Sequence, residues 1–300
     1  MSLRKRVFCL LQLAFFLLLP GLATAKQDAQ NIRGIRLSAH GLSLKLYGGI
    51  SGIAGGDLNK GLEGLIDILN VPHGIAVTGK YNPVRFGPDF GGELIFSLTS
   101  RLGIGLGIGY LQARKESTIE IADSENPAEP THFYTWILRP RVEAVPLTLG
   151  VLYDIWKGRR FNLEVSSGIG LYLGKVGLGD SWTEKGSSLS NQTTWEGTSQ
   201  AIGFHVGLGM EISFSQSTSL IVDVLGRYGK LKNIKGDLIG NGATTKDAVL
   251  WFCEQGAYPL IIIDDSPPPA WRYSSIRKGE VDLSGVSVRV GVKIHLFRGH

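Results

Sequence analysis

The sequence is poor in cysteine and in long hydrophobic runs. It contains 2 cysteines in 300 residues, and Cys9 lies in an apolar stretch at the N-terminus, which leaves Cys253 alone in the rest of the chain. One cysteine cannot form an intramolecular disulfide, so a disulfide-rich secreted scaffold is excluded. After Ala25 there is no run of about 18 apolar residues, so the sequence predicts no transmembrane helix beyond that point.

The N-terminal stretch MSLRKRVFCLLQLAFFLLLPGLATA has the layout of a signal peptide. A basic start at residues 4–6 is followed by the apolar run 7–19 and by Ala23-Thr24-Ala25, an A-x-A-type cleavage site. The alternative is an N-terminal membrane anchor, for which the apolar run is short. We predict export through a cleaved signal peptide, residues 1–25, and a periplasmic lead-in over residues 26–40.

The chain also lacks a strong excess of charge. Its net charge is +5, and the segment 1–25 carries three positive and no negative residues, so +5 − 3 leaves +2 for the remainder. No basic cluster is present there, and nucleic acid is not an expected partner.

What is abundant is glycine, with 41 residues, together with an alternation of period two. In SVRVGVKIHLF every second residue is apolar from Val286 to Leu296, and in AIGFHVGLGMEISF the apolar row runs from Ile202 to Phe214. Helices with a period of 3.6 cannot produce these rows. Eight such segments predict eight β-strands, near residues 41–54, 88–100, 101–121, 133–156, 160–178, 199–215, 217–231 and 281–298.

The fourth segment changes phase along its length. Its apolar residues are even-numbered from Trp136 to Ala144 and odd-numbered from Val145 to Ile155. A one-residue slip of this kind is typical of a β-bulge, which we predict between Pro140 and Pro146.

The connections between segments alternate between short and long. The short ones lie at Ser100-Arg101, 157–160 and 215–218, whereas 55–87, 122–132, 179–198 and 232–280 are long. An even number of antiparallel strands with short turns at one end and long loops at the other is typical of an outer-membrane β-barrel. A soluble barrel with its apolar row inside is the alternative.

The glycines and charges opposite the apolar rows favour the membrane barrel. Glycines would weaken a solvated outer face, whereas inside a narrow lumen they leave room for a few large side chains. We therefore predict lumen glycines Gly103, Gly105, Gly107 and Gly109. The same rows predict a lumen charge network of Lys45, Glu93, Arg139, Arg141, Glu143, Glu164, Glu211, Asp223, Arg227, Arg289 and Lys293. The network has two interpretations, a salt-bridge plug or the lining of a narrow ion pathway.

Aromatic residues supply a check on the height of the barrel. Phe204 and Phe214 stand ten residues apart on one apolar row, which at a tilt of about 40–45° gives roughly the ~25 Å of an outer-membrane apolar band. We predict interface aromatics Tyr110, Trp136, Tyr153, Phe161, Phe204, Phe214 and Tyr228.

The segment VEAVPLTLGVLYDIWKGRRFNLEVSSGIGLYLG, residues 142–174, resembles bacterial outer-membrane β-barrel families, the small OmpA-, OmpX- and OmpW-type barrels. The resemblance lies in a proline-containing strand, a tight basic turn and a following strand with G-x-G. The ending Leu296-Phe297 also resembles the C-terminal aromatic signal read by barrel-assembly machinery, although Arg298, Gly299 and His300 follow it here. The resemblance implies an all-β, eight-stranded, up-and-down transmembrane barrel over residues 41–298, located in a Gram-negative outer membrane.

Motifs of catalysis and cofactor binding are absent from the sequence. RLGIGLGIGY does not fit G-x-G-x-x-G, because Ile108 and Tyr110 stand where a glycine is required. We find neither H-E-x-x-H nor a serine elbow, and His205 and His295 are interpreted as polar residues of the barrel. We expect no catalytic residues, no cofactor and no metal. A lipid-modifying enzyme stays the third hypothesis, which only a nucleophile and base assembled at one mouth would support; the candidates are His205 with nearby serines, or His132 in a loop.

The expected role is that of a non-enzymatic surface protein in envelope structure, binding or adhesion. The alternative is a narrow channel or carrier for small hydrophobic or ionic solutes. Expected partners are outer-membrane lipids, barrel-assembly machinery during insertion and an extracellular ligand held by the loops, with the protein a monomer.

Two loops carry patterns of their own. Leu58, Leu62, Leu65, Ile66 and Leu69 fall at helical spacing and predict a short amphipathic helix, which either caps the mouth or binds a hydrophobic partner. The apolar pieces of 232–280 predict either a hairpin that extends strands seven and eight or an adhesive, ligand-gating surface.

Overall fold

The structure is a computed structural model that describes residues 41–70, 75–123, 132–186, 190–240 and 242–298. The predicted signal peptide and lead-in, residues 1–40, lie outside the described residues. Nearly all of the described chain is antiparallel β-structure, with one helix in these ranges. Across the same ranges, no helix has both the length and the apolar character needed to cross a membrane.

The elements in chain order are β1 (Gly41–Gly52), α1 (Asp57–Leu69), β2 (Ile75–Thr78), β3 (Phe86–Ser97), β4 (Leu102–Arg114), β5 (Ser117–Asp123), β6 (His132–Lys157), β7 (Phe161–Glu184), β8 (Ser190–Ser213), β9 (Thr218–Tyr228), β10 (Lys230–Leu231), β11 (Lys235–Gly240), β12 (Ala243–Gln255), β13 (Tyr258–Asp264), β14 (Ser274–Lys278), β15 (Val281–Asp282) and β16 (Gly285–Arg298). The long strands correspond to the segments predicted from the alternation. The third segment differs, because it divides into β4 and β5.

The long strands pair in sequence. Strand β1 pairs with β3, β3 with β4, β4 with β6, β6 with β7, β7 with β8, β8 with β9 and β9 with β16, all antiparallel. Strand β16 then pairs with β1, so the series of pairings returns to its start. Side chains therefore point either to an inner face, where strands that are not neighbours meet, or to an outer face.

The short connections predicted from the sequence are present. In the first, the amide of Leu98 donates to Leu102 at 2.8 Å, and in the third the amide of Phe214 donates to Thr218 at 3.1 Å. Gly158 closes the second by donating to Phe161 at 2.9 Å. We call the part of the long strands next to these connections the lower half, and the rest, with α1, β2, β5 and β10–β15, the upper half.

The predicted bulge in β6 is wrong. The register of β6 with β7 runs without a shift from Tyr134 to Asp154, through Val145 opposite Leu173 and Pro146 opposite Tyr172. The one shift in this pairing falls between Asp154 and Trp156. Even-numbered residues of β6 face inward throughout this stretch, so the change of phase in the sequence records a change of surroundings rather than a slip of the strand.

That change of surroundings occurs in β8 as well. The upper part of β8 buries Trp195 inward and exposes Glu196 and Gln200 outward, whereas below it His205 is buried inward and Ile202 is 81% exposed outward. The upper half thus has an apolar interior and a polar exterior, and the lower half has the reverse.

The interior of the upper half is one hydrophobic core. Helix α1 contributes Leu58, Leu62 and Ile66, whose exposed fractions are 0%, 0% and 4%. The predicted helix is therefore confirmed, with its apolar face in the core. A Cβ atom on Gly64 would lie 2.0 Å from the carbonyl oxygen of Pro259, so the missing side chain lets the helix approach β13 closely.

The loop 232–280 differs from the predicted hairpin. Only β10 and β15, two residues each, continue the line of β9 and β16. Strand β11 instead pairs with the upper part of β8, and β12 adds β13 and β14 beyond it. The apolar residues of this loop complete the upper core, because Ala248, Leu250 and Ile261 are buried in it.

Candidate functional site

A cluster of charged side chains fills the inner face of the lower half. The ammonium of Lys45 lies 2.6 Å from Asp223 and 3.7 Å from Glu93. Strands β1 and β9 are not neighbours, since β16 lies between them, so the contact between Lys45 and Asp223 crosses the interior. Sequence positions alone could not pair these residues.

Two arginines hold the upper level of this cluster. The guanidinium of Arg289 lies 2.9 Å from Asp89 and stacks over the ring of Tyr47 at 4.3 Å. Arg227 donates to the carbonyl oxygens of Leu283 and Gly52 at 2.8 and 2.7 Å and to the hydroxyl of Ser287 at 2.8 Å. Both guanidinium groups are therefore held by acceptors from other parts of the chain.

The third level lies nearest the short connections. Lys293 contacts Glu211 at 2.9 Å and Glu164 at 3.7 Å. The other oxygen of Glu211 lies 3.2 Å from Nε2 of His295, whose Nδ1 lies 2.9 Å from Oγ of Ser43. This contact is not predictable from the sequence, because Ser43 and His295 are 252 positions apart and meet only through the register of β1 and β16.

The structure brings eight of the predicted network residues to this inner face: Lys45, Glu93, Glu164, Glu211, Asp223, Arg227, Arg289 and Lys293. Burial of an unpaired charge would cost several kcal/mol. The mixed signs and short distances offset this cost and hold non-neighbouring strands together.

Arg139, Arg141 and Glu143 do not belong to this cluster, and their assignment to the lumen is wrong. They lie on the outer face of the upper half, where Arg139 pairs with Glu116 at 2.8 Å and Arg141 with Glu196 at 2.5 Å. Glu143 accepts a hydrogen bond from Gln112 at 2.9 Å. The reason is the reversal of sidedness, which places polar residues outward at this height.

The four predicted lumen glycines face inward and are covered by large neighbours. A Cβ on Gly105 would lie 2.0 Å from a carboxylate oxygen of Glu93, and one on Gly107 would lie 2.4 Å from Oγ1 of Thr148. Gly103 faces Ile95, and Gly109 faces the hydroxyl of Tyr47. The glycines of β4 therefore make room for inward side chains of β3, β6 and β1.

Cavities of different size lie inside the lower half. A cavity of about 50 Å³ lies among the charges, bordered by Tyr47, His205 and Arg289. A larger one, about 460 Å³, lies at the end with the short connections and is bordered by Ser43, Glu211 and His295. The interior therefore widens toward the short connections and narrows at the ion pairs.

The outer face of the lower half carries an apolar belt. On β16, Val286, Val288, Val290 and Val292 are 41–55% exposed. Exposed apolar residues continue around the paired strands: Leu46, Ile50, Phe90, Phe96, Leu106, Leu147, Leu149, Val151, Ile169, Ile202, Val206, Leu208 and Val224. A contiguous exposed apolar surface of this extent is typical of a surface covered by lipid or by another protein.

Most of the predicted interface aromatics lie on this outer face. Tyr153, Phe161, Phe204, Phe214 and Tyr228 are 40–71% exposed, and Phe204 stacks on Tyr228 at 5.1 Å. Tyr110 points outward but is covered by Phe90 at 5.2 Å. The prediction that Trp136 lies at the interface is wrong, because Trp136 is 4% exposed and stacks on Trp182 at 4.7 Å inside the upper core.

Titratable groups of the upper half serve its packing. Asp57, at the start of α1, lies 2.6 Å from Arg277, and this contact raises the pKa of the Arg277 guanidinium. Burial raises the pKa of Tyr81, whose hydroxyl donates to Asn59 at 2.8 Å. Within the described ranges, no group of three or more His, Cys, Asp or Glu residues is placed to hold a metal ion.

Comparison with known proteins gives structural neighbours only. No family model matches the sequence, and no curated protein matches it. The outer membrane protease OmpT from Escherichia coli is similar at 8% identity over 88% of this chain and 99% of that one, with a TM-score of 0.36. Acinetobacter baumannii CarO is similar at 14% identity, 76% and 99% coverage and a TM-score of 0.34. CarO2 of the same organism has 12% identity, 84% and 99% coverage and a TM-score of 0.30.

Proposed function

We propose that this chain is an eight-stranded outer-membrane β-barrel with a closed lumen, whose upper half stands on the cell surface as a binding or structural module. The reversal of sidedness carries this proposal. In the lower half the outer face is apolar and the inner face is charged, which is suited to surrounding lipid. In the upper half the outer face is polar and the inner face is apolar, which is suited to surrounding water.

The pairing of the strands supports the barrel. The returning series of pairings leaves no free edge in the lower half, which a sheet in hydrocarbon requires because lipid offers no hydrogen bonds. The short connections would then face the periplasm and the long ones the exterior. The OmpA-, OmpX- and OmpW-type assignment stays an inference from the sequence resemblance.

The packed interior supports a closed lumen rather than an open channel. An ion crossing it would have to pass the ion pairs of Lys45 and Arg289 and then the core below α1. Above the membrane, Trp271 is 85% exposed next to a run of three prolines. An exposed aromatic on a stiff loop is suited to contact with an extracellular ligand.

Fractionation and electrophoresis test the membrane assignment. We expect the protein in outer-membrane fractions and a faster-migrating band before heating than after it. Recovery as a soluble protein without detergent would overturn the proposal.

Planar-bilayer recording tests the closed lumen. We expect no reproducible unit conductance from the folded protein. A stable conductance that changes in the variant Lys45→Gln would favour the ion pathway over the plug.

A further inference from the structure

We propose that Ser43, His295 and Glu211 form a hydrolytic site for ester bonds at the lower mouth of the interior. This inference departs from the expectation of a non-enzymatic protein. Its placement on the periplasmic side depends on the proposed function, whereas its chemistry depends only on the contacts of these three residues.

The three side chains are linked in the order that nucleophilic catalysis needs. Ser43 stands directly opposite His295 in the register of β1 and β16, with its Oγ 2.9 Å from Nδ1. Nε2 of the same ring lies 3.2 Å from Oε1 of Glu211 on β8. In the neutral imidazole, Nε2–H donates to the carboxylate of Glu211 while Nδ1 accepts the hydroxyl proton of Ser43. His295 can therefore act as the base for Ser43, and the Glu211 carboxylate holds the ring of His295 in place.

The surroundings fix the geometry of this group. Oε2 of Glu211 is held by Lys293 at 2.9 Å, so the carboxylate that orients His295 is itself anchored. The pairing of β1 and β16 shifts register next to Ser43: Leu42 pairs with Phe297 and Ser43 with His295, which leaves Leu296 as an extra residue. Bulges of this kind re-aim side chains and are common beside active sites.

The site is open to solvent through the larger cavity. Ser43, Glu211 and His295 border the space of about 460 Å³, a size within the usual range of small-molecule pockets. The cavity is also bordered by acidic residues that are buried or half-buried, namely Asp154, Glu164 and Glu211, whereas the charged residues exposed at its border are positive, namely Arg101, Lys157 and Arg159. Positive charge at the entrance attracts anions, so the geometry favours a small acyl ester that carries a carboxylate.

The reaction is a two-step acyl transfer. Oγ of Ser43 forms a bond to the ester carbonyl carbon while its proton passes to Nδ1 of His295. The bond to the alcohol oxygen breaks, and that oxygen takes the proton from His295. Water then attacks the acyl-serine, gives a proton to His295, and the acid leaves as the proton returns to Ser43.

Labelling tests the nucleophile directly. The folded full chain in detergent micelles is treated with a fluorophosphonate probe, and the modified residue is mapped by mass spectrometry. We expect labelling at Ser43 and hydrolysis of a nitrophenyl monoester of succinic acid. Folded wild-type protein that is not labelled at Ser43, and that hydrolyses the ester no faster than micelles alone, would overturn the proposal.

Variants separate catalysis from packing. We expect Ser43→Ala to lose both labelling and activity, by about 10³-fold or more. Ser166→Ala, which removes an inward hydroxyl at the smaller cavity and not at this one, should retain both. Glu211→Gln should slow hydrolysis and shift its pH profile while the probe still reaches Ser43. Heat-dependent migration of each variant reports folding separately, so loss of the barrel and loss of the site are distinguishable.

Discussion

The lower and upper halves of the molecule use the same strands with opposite sidedness. In the lower half β16 presents four valines outward and Arg289 and Lys293 inward, whereas in the upper half β8 presents Glu196 outward and Trp195 inward. The pairing register of β6 with β7, and that of β7 with β8, does not shift where the lower half meets the upper half. Alternation therefore identifies a strand, and the medium around it decides which row is buried.

The largest effect is expected inside the lower half. Lys45→Met would leave Asp223 and Glu93 without their ammonium partner and should lower the free energy of unfolding by about 3–5 kcal/mol. Urea titration of the protein in micelles measures this value. Lys60→Met, on the exposed side of α1, is the matched control and should stay within ~0.5 kcal/mol. A loss below ~1 kcal/mol for Lys45→Met would show that the interior is hydrated rather than packed.

The outer faces of the two halves should respond differently to charge. Val290→Arg places a guanidinium in the apolar belt and should cost about 2–4 kcal/mol in a bilayer. Gln192→Arg makes a similar addition on the exposed outer face of upper β8 and should be close to neutral. Folding of both variants into lipid vesicles gives the comparison. Equal effects would contradict the placement of lipid around the lower half.

A smaller effect is expected where the helix meets the upper sheet. Gly64→Ala places a Cβ 2.0 Å from the carbonyl oxygen of Pro259. This oxygen belongs to the backbone, so no side-chain rotation relieves the clash. Overpacking should cost about 1–3 kcal/mol, more than the ~1 kcal/mol that alanine gains over glycine in a helix. Glu63→Ala, one residue earlier on the exposed side, is the control. A more stable Gly64→Ala variant would show that α1 moves freely over the sheet.

The thiol of Cys253 is expected to be unreactive in the native protein. Cys253 is fully buried in the upper half, and burial raises the pKa of its thiol, so less thiolate is present at any pH below that value. We expect no maleimide modification of the native protein between pH 7 and about 8, and rapid modification after denaturation. Rapid labelling of the native protein would show that the upper half opens while the lower half stays closed.

The strands, the short connections and the helix are predictable from the sequence, because each depends on a local period or on turn composition. The predictions for Trp136 and Arg141 are wrong because the sidedness of the lower half does not hold in the upper half. The predicted bulge in β6 is wrong because a reversal of surroundings and a slip of one residue produce the same change of phase in the sequence. Ser43, His295 and Glu211 could not be grouped, since only the closing register of β1 and β16 brings two of them together.

Helix α1 also bears on self-association. Above the level where β8 leaves β9 for β11, the sheet ends at β13 on one side and at β2 on the other. Such ends are templates on which a second copy could add a strand. The helix packs against β13 and contacts β2, so it lies beside both end strands. A chain without α1 is therefore expected to gain a tendency to form intermolecular sheets.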